Sequence, residues 1–177
     1  QLGKPKPIQF SPSETLIVRE EISKLLHKGV IRESIADDDQ GFYSNIFLRE
    51  KKDGSQRVIL DLSRLNLDLT YQHFKMESLQ SAINLMTPGC WMGSVDLKDA
   101  YYSVPIASRF WKYLKFSFEN KVYFFVCMPN GLSPAPRIFT KVLKPIFSYL
   151  RKLGFHNTAY IDDSLLLAFT ETECINN

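Results

Sequence analysis

Three pairs of apolar segments, each joined by a short polar turn, constrain the possible folds of this chain most strongly. The segments are short and rich in aromatic or β-branched residues, and the turns carry residues that favour chain reversal. Strands joined by such short connections run antiparallel. The pairs are 42–49 with 57–61, 113–118 with 121–126, and 159–161 with 164–169, and their turns lie at 51–54, 119–120 and 162–163.

Helix signals separate these hairpins. Ser11 and Glu14 form a capping-box pattern around Pro12, apolar residues then recur at helical spacing, and Gly29 marks an end. Further elements are predicted at 79–86 (helix), 91–97 (a short buried strand that contains Asp96) and 133–153 (a helix with Phe139, Leu143, Ile146 and Leu150 on one face). Antiparallel hairpins interspersed with helices indicate an α+β fold and not a doubly wound parallel sheet.

The composition excludes several classes of protein. Of the 177 residues, 45% are hydrophobic, which is enough for a packed core, and the net charge of +3 permits a nucleic-acid partner without arguing for one. The three cysteines and three histidines are scattered, so neither a disulfide framework nor a zinc site is expected, and the chain is predicted to be intracellular. No apolar run approaches the roughly 20 residues of a membrane helix, and no signal-peptide pattern is present. The first residue is Gln1 and the chain stops soon after Cys174, so both ends are expected to be cuts in a longer polyprotein.

Carboxylates at the ends of apolar segments are the first indication of chemistry. Asp162 and Asp163 are adjacent between two strands, where like charges repel unless a cation lies between them. Asp96 ends another apolar segment, so the three acids could meet and hold two divalent ions. The alternatives are a polar turn for the adjacent pair and, for Asp96, a strand-end residue that caps the next segment.

Three motifs then resemble the palm motifs of retroelement reverse transcriptases, in the order of that family. The second motif and the residues after it look most like the DIRS-type (tyrosine-recombinase) retrotransposons, with the Ty3/gypsy type next. Upstream segments are similar to the family's lead-in helix and fingers hairpin. The palm motifs are 95–102, 128–139 and 160–163, and the upstream segments are 19–31, 43–45, 51–54 and 57–66.

The resemblance implies a right-hand polymerase palm, an antiparallel sheet with helices on one face, together with fingers. Residues 1–90 would be the fingers with the first entry to the palm, and residues 91–177 would be the palm. The thumb and the RNase H domain are expected to be absent. The implied function is RNA-directed DNA polymerase, with two Mg²⁺ ions as cofactors (or Mn²⁺), deoxynucleoside triphosphates as substrates, and an RNA or DNA template with its primer as partners.

The same resemblance assigns roles to particular residues. Asp96, Asp162 and Asp163 would be the catalytic metal ligands, with the carbonyl of Leu97 helping one ion. Tyr101 would exclude the 2′-hydroxyl of a ribonucleotide. The other expected nucleotide contacts are Lys51, Lys52, Arg57, Leu97, Ala100, Asn130 and Gly131. Asn130 departs from the family, which usually has Phe or Gln there.

Three other functions compete with this one. A catalytically silent retroelement remnant that binds RNA or protein is the main alternative, although the acids, Tyr101 and the phosphate-binding residues are all intact. A response-regulator receiver domain places its acid pair early in the chain, unlike Asp162 and Asp163. An RNA-dependent RNA polymerase has a similar palm, but the bulk of Tyr101 argues against ribonucleotides.

Overall fold

The computed structural model describes residues 5–6, 8–35, 41–51, 54 and 56–176. These residues pack into two compact units, each built from two separate stretches of chain. The first unit comprises Gln1–Thr70 and Tyr101–Ala135, and the second comprises Tyr71–Ala100 and Pro136–Asn177. No helix in the described part of the chain is long and apolar enough to cross a membrane.

The first unit consists of a sheet, a separate hairpin and short helices. The elements are α1 (Pro12–His27), β1 (Ile31–Glu33), β2 (Ile46–Glu50), β3 (Gln56–Leu60), α2 (Ser63–Leu67), a 3₁₀ helix (Ser108–Tyr113), β5 (Lys115–Phe118) and β6 (Lys121–Phe125). The three-stranded antiparallel sheet has the order β1-β6-β5, and β2 pairs with β3 in the hairpin. Both hairpins of this unit were predicted from their turns.

Helix α1 begins and ends where the sequence indicates. The Ser11 hydroxyl accepts a hydrogen bond from the backbone N–H of Glu14 at 3.3 Å, and the Ser11 N–H donates to Glu14 Oε2 at 2.8 Å. This capping box satisfies two of the N–H groups that a helix start leaves unpaired. At the other end, Gly29 has a φ of 68°, a left-handed conformation that glycine adopts without steric cost.

The hydrophobic core of the first unit lies between α1 and the two β-structures. Val18 is fully buried on α1, and Phe116 and Phe125 are buried on the sheet with ring centroids 5.9 Å apart. Burying an aliphatic or aromatic side chain of this size contributes roughly 1.5–3 kcal/mol. Because the cluster joins the helix, the sheet and the hairpin, it anchors the base of the β2–β3 hairpin.

The second unit is a three-stranded antiparallel sheet with helices. The strand order is β4-β8-β7, so β4 and β7 are the edges and β8 is central. Helix α5 packs on β4 and β8, where a Cβ added at Gly93 would lie 3.5 Å from Cys174 Sγ. The elements are α3 (Leu79–Leu85), β4 (Trp91–Asp96), α4 (Ala135–Lys152, whose first residue belongs to the first unit), β7 (His156–Tyr160), β8 (Asp163–Ala168) and α5 (Glu171–Asn176).

One prediction about burial is wrong. The segment 91–97 does form a strand, but Trp91, Met92 and Val95 are 48%, 55% and 43% exposed. An apolar run predicts a buried strand only when neighbours cover both faces and both edges, and β4 lies at an edge. On α4, Phe139 is buried but Ile146 is 54% exposed, because helical spacing defines a stripe without showing how far along the helix it is covered.

Candidate catalytic hairpin and nucleotide-contact residues

The acid pair lies at the tip of the β7–β8 hairpin. Tyr160 and Asp163 are opposite each other and close the hairpin, so the two-residue turn is Ile161 and Asp162, one residue earlier than the predicted turn at 162–163, and Asp163 is the first residue of β8. Ile161 has a φ of 58°, and a β-branched residue in this left-handed region is strained by about 1–3 kcal/mol. Strain of this kind persists where the surrounding structure enforces it, and it concentrates at functional sites.

The third acid is brought to the same end of the sheet by strand pairing. In the β4–β8 ladder Asp96 is directly opposite Asp163. One step further, the N–H of Leu97 donates to the carbonyl of Asp162 at 3.0 Å. Residues directly opposite in an antiparallel pair point to the same face, with Cα atoms roughly 4.5–5.5 Å apart. The three predicted catalytic acids are therefore neighbours in the folded chain, although Asp96 is distant from the other two in sequence.

The donor chemistry at this end of the sheet suits magnesium, which prefers carboxylate and carbonyl oxygens. Asp96 and Asp163 are exposed and Asp162 is half-buried, so water can solvate the three charges. Among the described residues, however, no three acidic, histidine or cysteine side chains are grouped closely enough to hold a metal ion. Strand pairing therefore places the three acids at one end of the sheet, but in this structure their side chains do not form a metal-binding group.

A polar network on the outer edge of β7 was not predicted. Glu77 Oε2 accepts hydrogen bonds from Thr158 Oγ1 at 2.7 Å and from the N–H of Ala159 at 2.8 Å, and Glu77 Oε1 pairs with Arg151. Partial burial opposes ionisation of this carboxyl, but the hydrogen bonds from Thr158, Ala159 and Arg151 outweigh it and lower the pKa of Glu77. No sequence motif marks Glu77, because its partners are 74 to 82 residues away.

The loop that carries the second motif is held by a side chain of the first unit. Asn66 donates from Nδ2 to the carbonyl of Gly131 at 2.9 Å, and its Oδ1 accepts from the N–H of Ser133 at 2.8 Å. Gly131 has a φ of 87°, whereas a Cβ added there would meet only the carbonyl of Leu60, at 4.0 Å. Glycine is therefore required by the backbone conformation and not by crowding within this unit. The Asn130 side chain lies 3.5 Å from the Tyr102 hydroxyl, the outer limit of a hydrogen bond.

The predicted phosphate-binding residues lie on the β2–β3 hairpin. Arg57 is exposed on β3 directly opposite Arg49 on β2, and Lys51 is exposed at the start of the turn. Lys52 lies outside the described residues. Two like charges directly opposite across a strand pair destabilise it, and an anion bound between them relieves this repulsion. Arg49 was not among the predicted contacts, since the pairing register alone brings it opposite Arg57.

The remaining predicted contacts lie after β4. Ala100 and Tyr101 begin a short 3₁₀ helix, Ala100–Ser103, in which the carbonyl of Tyr101 accepts from the N–H of Val104 at 3.1 Å. Both residues are half-buried. The short helix fixes the backbone at Tyr101, the residue predicted to contact the sugar.

The arrangement of strands and helices is that of known reverse transcriptase structures. Over 99% of this chain it superimposes on 35% of the chain of a foamy viral protease–reverse transcriptase solved in complex with dsDNA, with a TM-score of 0.82 and 18% identity. The same viral protein solved with an RNA/DNA hybrid gives a TM-score of 0.78 and 20% identity over 98% of this chain and 22% of that chain. The fold is therefore that of the fingers and palm of such enzymes, mixed α and β with antiparallel sheets.

The sequence itself defines the family. A sequence profile described as reverse transcriptase (RNA-dependent DNA polymerase) matches residues 49–177. The chain therefore belongs to the reverse transcriptase family.

Its relatives include retroviral and retrotransposon proteins. The Pol polyprotein of equine infectious anemia virus (strain Wyoming) is 29% identical over 146 residues, which cover 76% of this chain and 12% of the relative. The transposon Tf2-3 polyprotein of Schizosaccharomyces pombe (strain 972 / ATCC 24843) is 24% identical over 166 residues, which cover 94% of this chain and 12% of the relative. The chain thus spans about an eighth of the length of these curated relatives.

Proposed function

We propose that this chain catalyses RNA-directed DNA synthesis by two-metal nucleotidyl transfer. In this reaction the 3′-hydroxyl of a primer attacks the α-phosphate of a deoxynucleoside triphosphate, and pyrophosphate leaves. The observation that carries the proposal is the strand pairing of Asp96 with Asp163, next to Asp162, in a chain of the reverse transcriptase family. Acids held together by a sheet register keep their relative positions when substrate binds. Catalysis of phosphoryl-type transfer depends on such fixed positions, because most of the rate enhancement comes from holding the reacting groups in place.

We propose that Asp96, Asp162 and Asp163, together with the carbonyl of Leu97, hold two Mg²⁺ ions, or Mn²⁺ in their place. When bound, the two ions activate the attacking hydroxyl and stabilise the leaving pyrophosphate. The β4–β8 register supports the assignment, since it presents Asp96 and Asp163 on one face of the sheet. The strained turn at Ile161 supports it as well, because it fixes Asp162 directly beside that pair.

The substrate contacts follow from charge and shape. Lys51, Lys52 and Arg57 are proposed to bind the triphosphate, because a guanidinium and an ammonium suit a polyphosphate. The exposed arginine opposite Arg57 supports this assignment. Tyr101 is proposed to exclude ribonucleotides by occupying the space of a 2′-hydroxyl, with Ala100 beside it.

The loop of the second motif is proposed to contact the sugar and base of the incoming nucleotide through Asn130 and Gly131. The side-chain clamp from Asn66 supports this, because it holds the loop in one conformation. Template and primer contacts are proposed to be mainly to the phosphate backbone, since a copying enzyme must accept every sequence. In this scheme residues 1–90 act as fingers and residues 91–177 as palm, and the remainder of a polyprotein supplies the thumb and RNase H.

The element of origin is proposed to be of the DIRS type, on the residues of the second motif, 128–145. The genomic sequence on either side of this segment tests the assignment, because a DIRS-type element carries a tyrosine recombinase and a Ty3/gypsy-type element an integrase. We also propose an intracellular location, supported by the three free thiols of Cys90, Cys127 and Cys174.

Primer extension tests the proposed activity. The substrate is a poly(rA) template with an oligo(dT) primer, dTTP and Mg²⁺, and the enzyme is this chain extended by a thumb domain. Asp162→Asn should abolish incorporation and leave the fold intact, whereas Asp68→Asn, the same change at an exposed aspartate of the first unit, should not. A wild-type chain that binds the duplex tightly but never incorporates dTTP would support the silent RNA-binding alternative.

A further inference from the structure

Strand β7 carries the proposed catalytic turn and lies at an edge of its sheet. In an antiparallel pair, alternate residues direct their N–H and C=O groups away from the neighbouring strand. An edge strand therefore presents polar backbone groups without a strand partner, and these are a weak point of the sheet. In β7 two of these groups, the carbonyl of Asn157 and the N–H of Ala159, are both bound by side chains.

The two side chains that bind them are Glu77 and Arg151. Glu77 Oε2 accepts from the N–H of Ala159 at 2.8 Å and from Thr158 Oγ1 at 2.7 Å. Arg151 Nε donates to the carbonyl of Asn157 at 3.2 Å and to its side-chain Oδ1 at 3.0 Å. Arg151 Nη2 also pairs with Glu77 Oε1 at 2.5 Å. The Glu77 carboxylate thus accepts where the carbonyl of a neighbouring strand would accept, and the Arg151 guanidinium donates where its N–H would donate. The two side chains are also paired with each other.

Both side chains belong to the same unit and lie at helix ends, Glu77 just before α3 and Arg151 within α4. Glu77 immediately precedes Ser78, the residue that caps α3 and accepts from the N–H of Ser81 at 3.3 Å. Arg151 lies in the last turn of α4. The network therefore ties the edge of β7 to the start of one helix and the end of another.

The strand side of the network is buried, whereas the Glu77 and Arg151 side chains are 33% and 41% exposed. Asn157 is 1% exposed and Thr158 is 7% exposed. Asn157 is also fixed through Nδ2, which donates to the carbonyl of Phe155 at 3.1 Å. Hydrogen bonds in a shielded environment are stronger than in water, and a partner removed from such a network leaves a costly unpaired group.

The position of the network along β7 connects it to catalysis. Ala159 lies two residues before Ile161, whose strained φ of 58° begins the turn that carries the acids. A strained turn keeps its conformation only when the strands on either side are held. We propose that Glu77 and Arg151 are positioning residues, which replace a missing strand along β7 and thereby hold Asp162 and Asp163 in place for metal binding. This inference rests on the proposed function of those two acids.

Glu77 and Arg151 could instead form a simple ion pair that only stabilises the fold. The two roles can be distinguished, because an ion pair needs only opposite charges, whereas a strand substitute needs an acceptor at the N–H of Ala159 and a donor at the carbonyl of Asn157. A guanidinium has no acceptor atom, and a carboxylate has no N–H to donate. Exchanging the two residues (Glu77→Arg with Arg151→Glu) restores opposite charges but sets a donor against the N–H of Ala159. A mere ion pair would be rescued by this exchange, whereas a strand substitute would not.

The first experiment measures amide hydrogen exchange in β7. Glu77→Gln keeps an acceptor oxygen but removes the charge that strengthens the hydrogen bond from Ala159 and the pairing with Arg151, so exchange at Ala159 should speed up about tenfold. Glu119→Gln is the matched control, since Glu119 is also paired with an arginine, Arg19, but lies in the first unit. The control should leave exchange at Ala159 unchanged. If Glu77→Gln folds poorly, Arg151→Lys keeps the charge and should give a smaller increase.

The second experiment follows the acids themselves. Mn²⁺ binding to this chain, measured by paramagnetic broadening, should weaken about tenfold in Glu77→Gln. The reason is that Asp162 and Asp163, once displaced, no longer contact the same ion in their best positions. In primer extension with the thumb-extended protein, kcat should fall about 10- to 100-fold, with the KM for dTTP within about twofold of wild type. The exchanged pair should behave like Glu77→Gln in each assay.

The outcomes separate this inference from the proposed function. Unchanged exchange at Ala159, or rescue by the exchanged pair, would overturn the strand-substitute role. Faster exchange with unchanged Mn²⁺ affinity and kcat would reduce Glu77 and Arg151 to a purely structural role. A wild-type protein that neither binds Mn²⁺ nor incorporates dTTP would instead refute the proposed function. Wild-type Mn²⁺ binding that weakens in Glu77→Gln would support the inference even if the wild type did not extend primers.

Discussion

Asp96→Asn should make the protein more stable in the absence of divalent cations, although it removes a proposed metal ligand. Asp96 and Asp163 are directly opposite in the β4–β8 ladder, where like charges destabilise the strand pair. With carboxylates about 5–6 Å apart in a solvated setting, the repulsion is about 0.5–1 kcal/mol. Asparagine keeps the shape of the side chain and removes the charge, so the variant should gain roughly that amount.

Urea unfolding with and without magnesium measures both effects of the substitution, the relief of charge repulsion and the loss of metal binding. In EDTA, Asp96→Asn should unfold at higher urea than wild type. With Mg²⁺ at ten times its dissociation constant, wild type should gain about 1.4 kcal/mol from ligand binding to the folded state, and the variant much less. The order of the two stabilities should therefore invert. Glu20→Gln, an exposed change on α1, controls for the loss of one negative charge from the whole chain.

Two results would refute the reasoning. If Asp96→Asn is less stable than wild type in EDTA, the Asp96 carboxylate accepts hydrogen bonds that stabilise the fold, and repulsion from Asp163 is not its main effect. If magnesium stabilises wild type and variant equally, any bound ion lies elsewhere.

Three further predictions concern the sugar, the triphosphate and the edge of β7. Tyr101→Val should raise incorporation of UTP relative to dTTP in matched primer-extension assays, and an unchanged ratio with a lower melting temperature would indicate a core aromatic. Arg57→Ala should raise the KM for dTTP about tenfold, the effect of losing a charge-assisted contact, and Arg49→Ala should raise it less. Because the pKa of Glu77 is lowered below its ordinary value of 4.5, its ionised form stabilises the fold near neutral pH. That contribution should disappear as the pH falls from about 4.5 through the lower folded-state pKa. The stability difference between wild type and Glu77→Gln should therefore narrow between pH 6 and pH 3 in urea unfolding, whereas a constant difference would contradict the assignment.

The local elements could be predicted because their causes lie within a few residues. The capping box of Ser11 and Glu14 specifies the start of α1 at Pro12, and the turn chemistry at 119–120 specifies the β5–β6 hairpin. The acids at the tip of the third hairpin were found in the same way. The resemblance of the palm motifs to reverse transcriptases added the family, which the profile match to residues 49–177 confirms. The roles of the nucleotide-contact residues stay predictions.

Register and pairing partners were decided only by the tertiary structure. Apolar composition predicts that 91–97 is a strand, but it cannot show that β4 lies at an edge, with Trp91 and Met92 half exposed. Nor can it show that Asp96 falls opposite Asp163, since a slip of one residue would send Asp96 to the other face of the sheet.

The sequence by itself determined the class of this protein and singled out the acids proposed for its chemistry, because turn residues, helix caps and short motifs are local features. The tertiary structure decided how the acids are supported, because hydrogen-bond partners such as Glu77 and Ala159 are 82 residues apart. A carboxylate outside every motif has no local pattern that distinguishes it from a solvated surface acid. Only the folded chain, which brings Glu77 and Arg151 to the open edge of β7, gives that carboxylate its role.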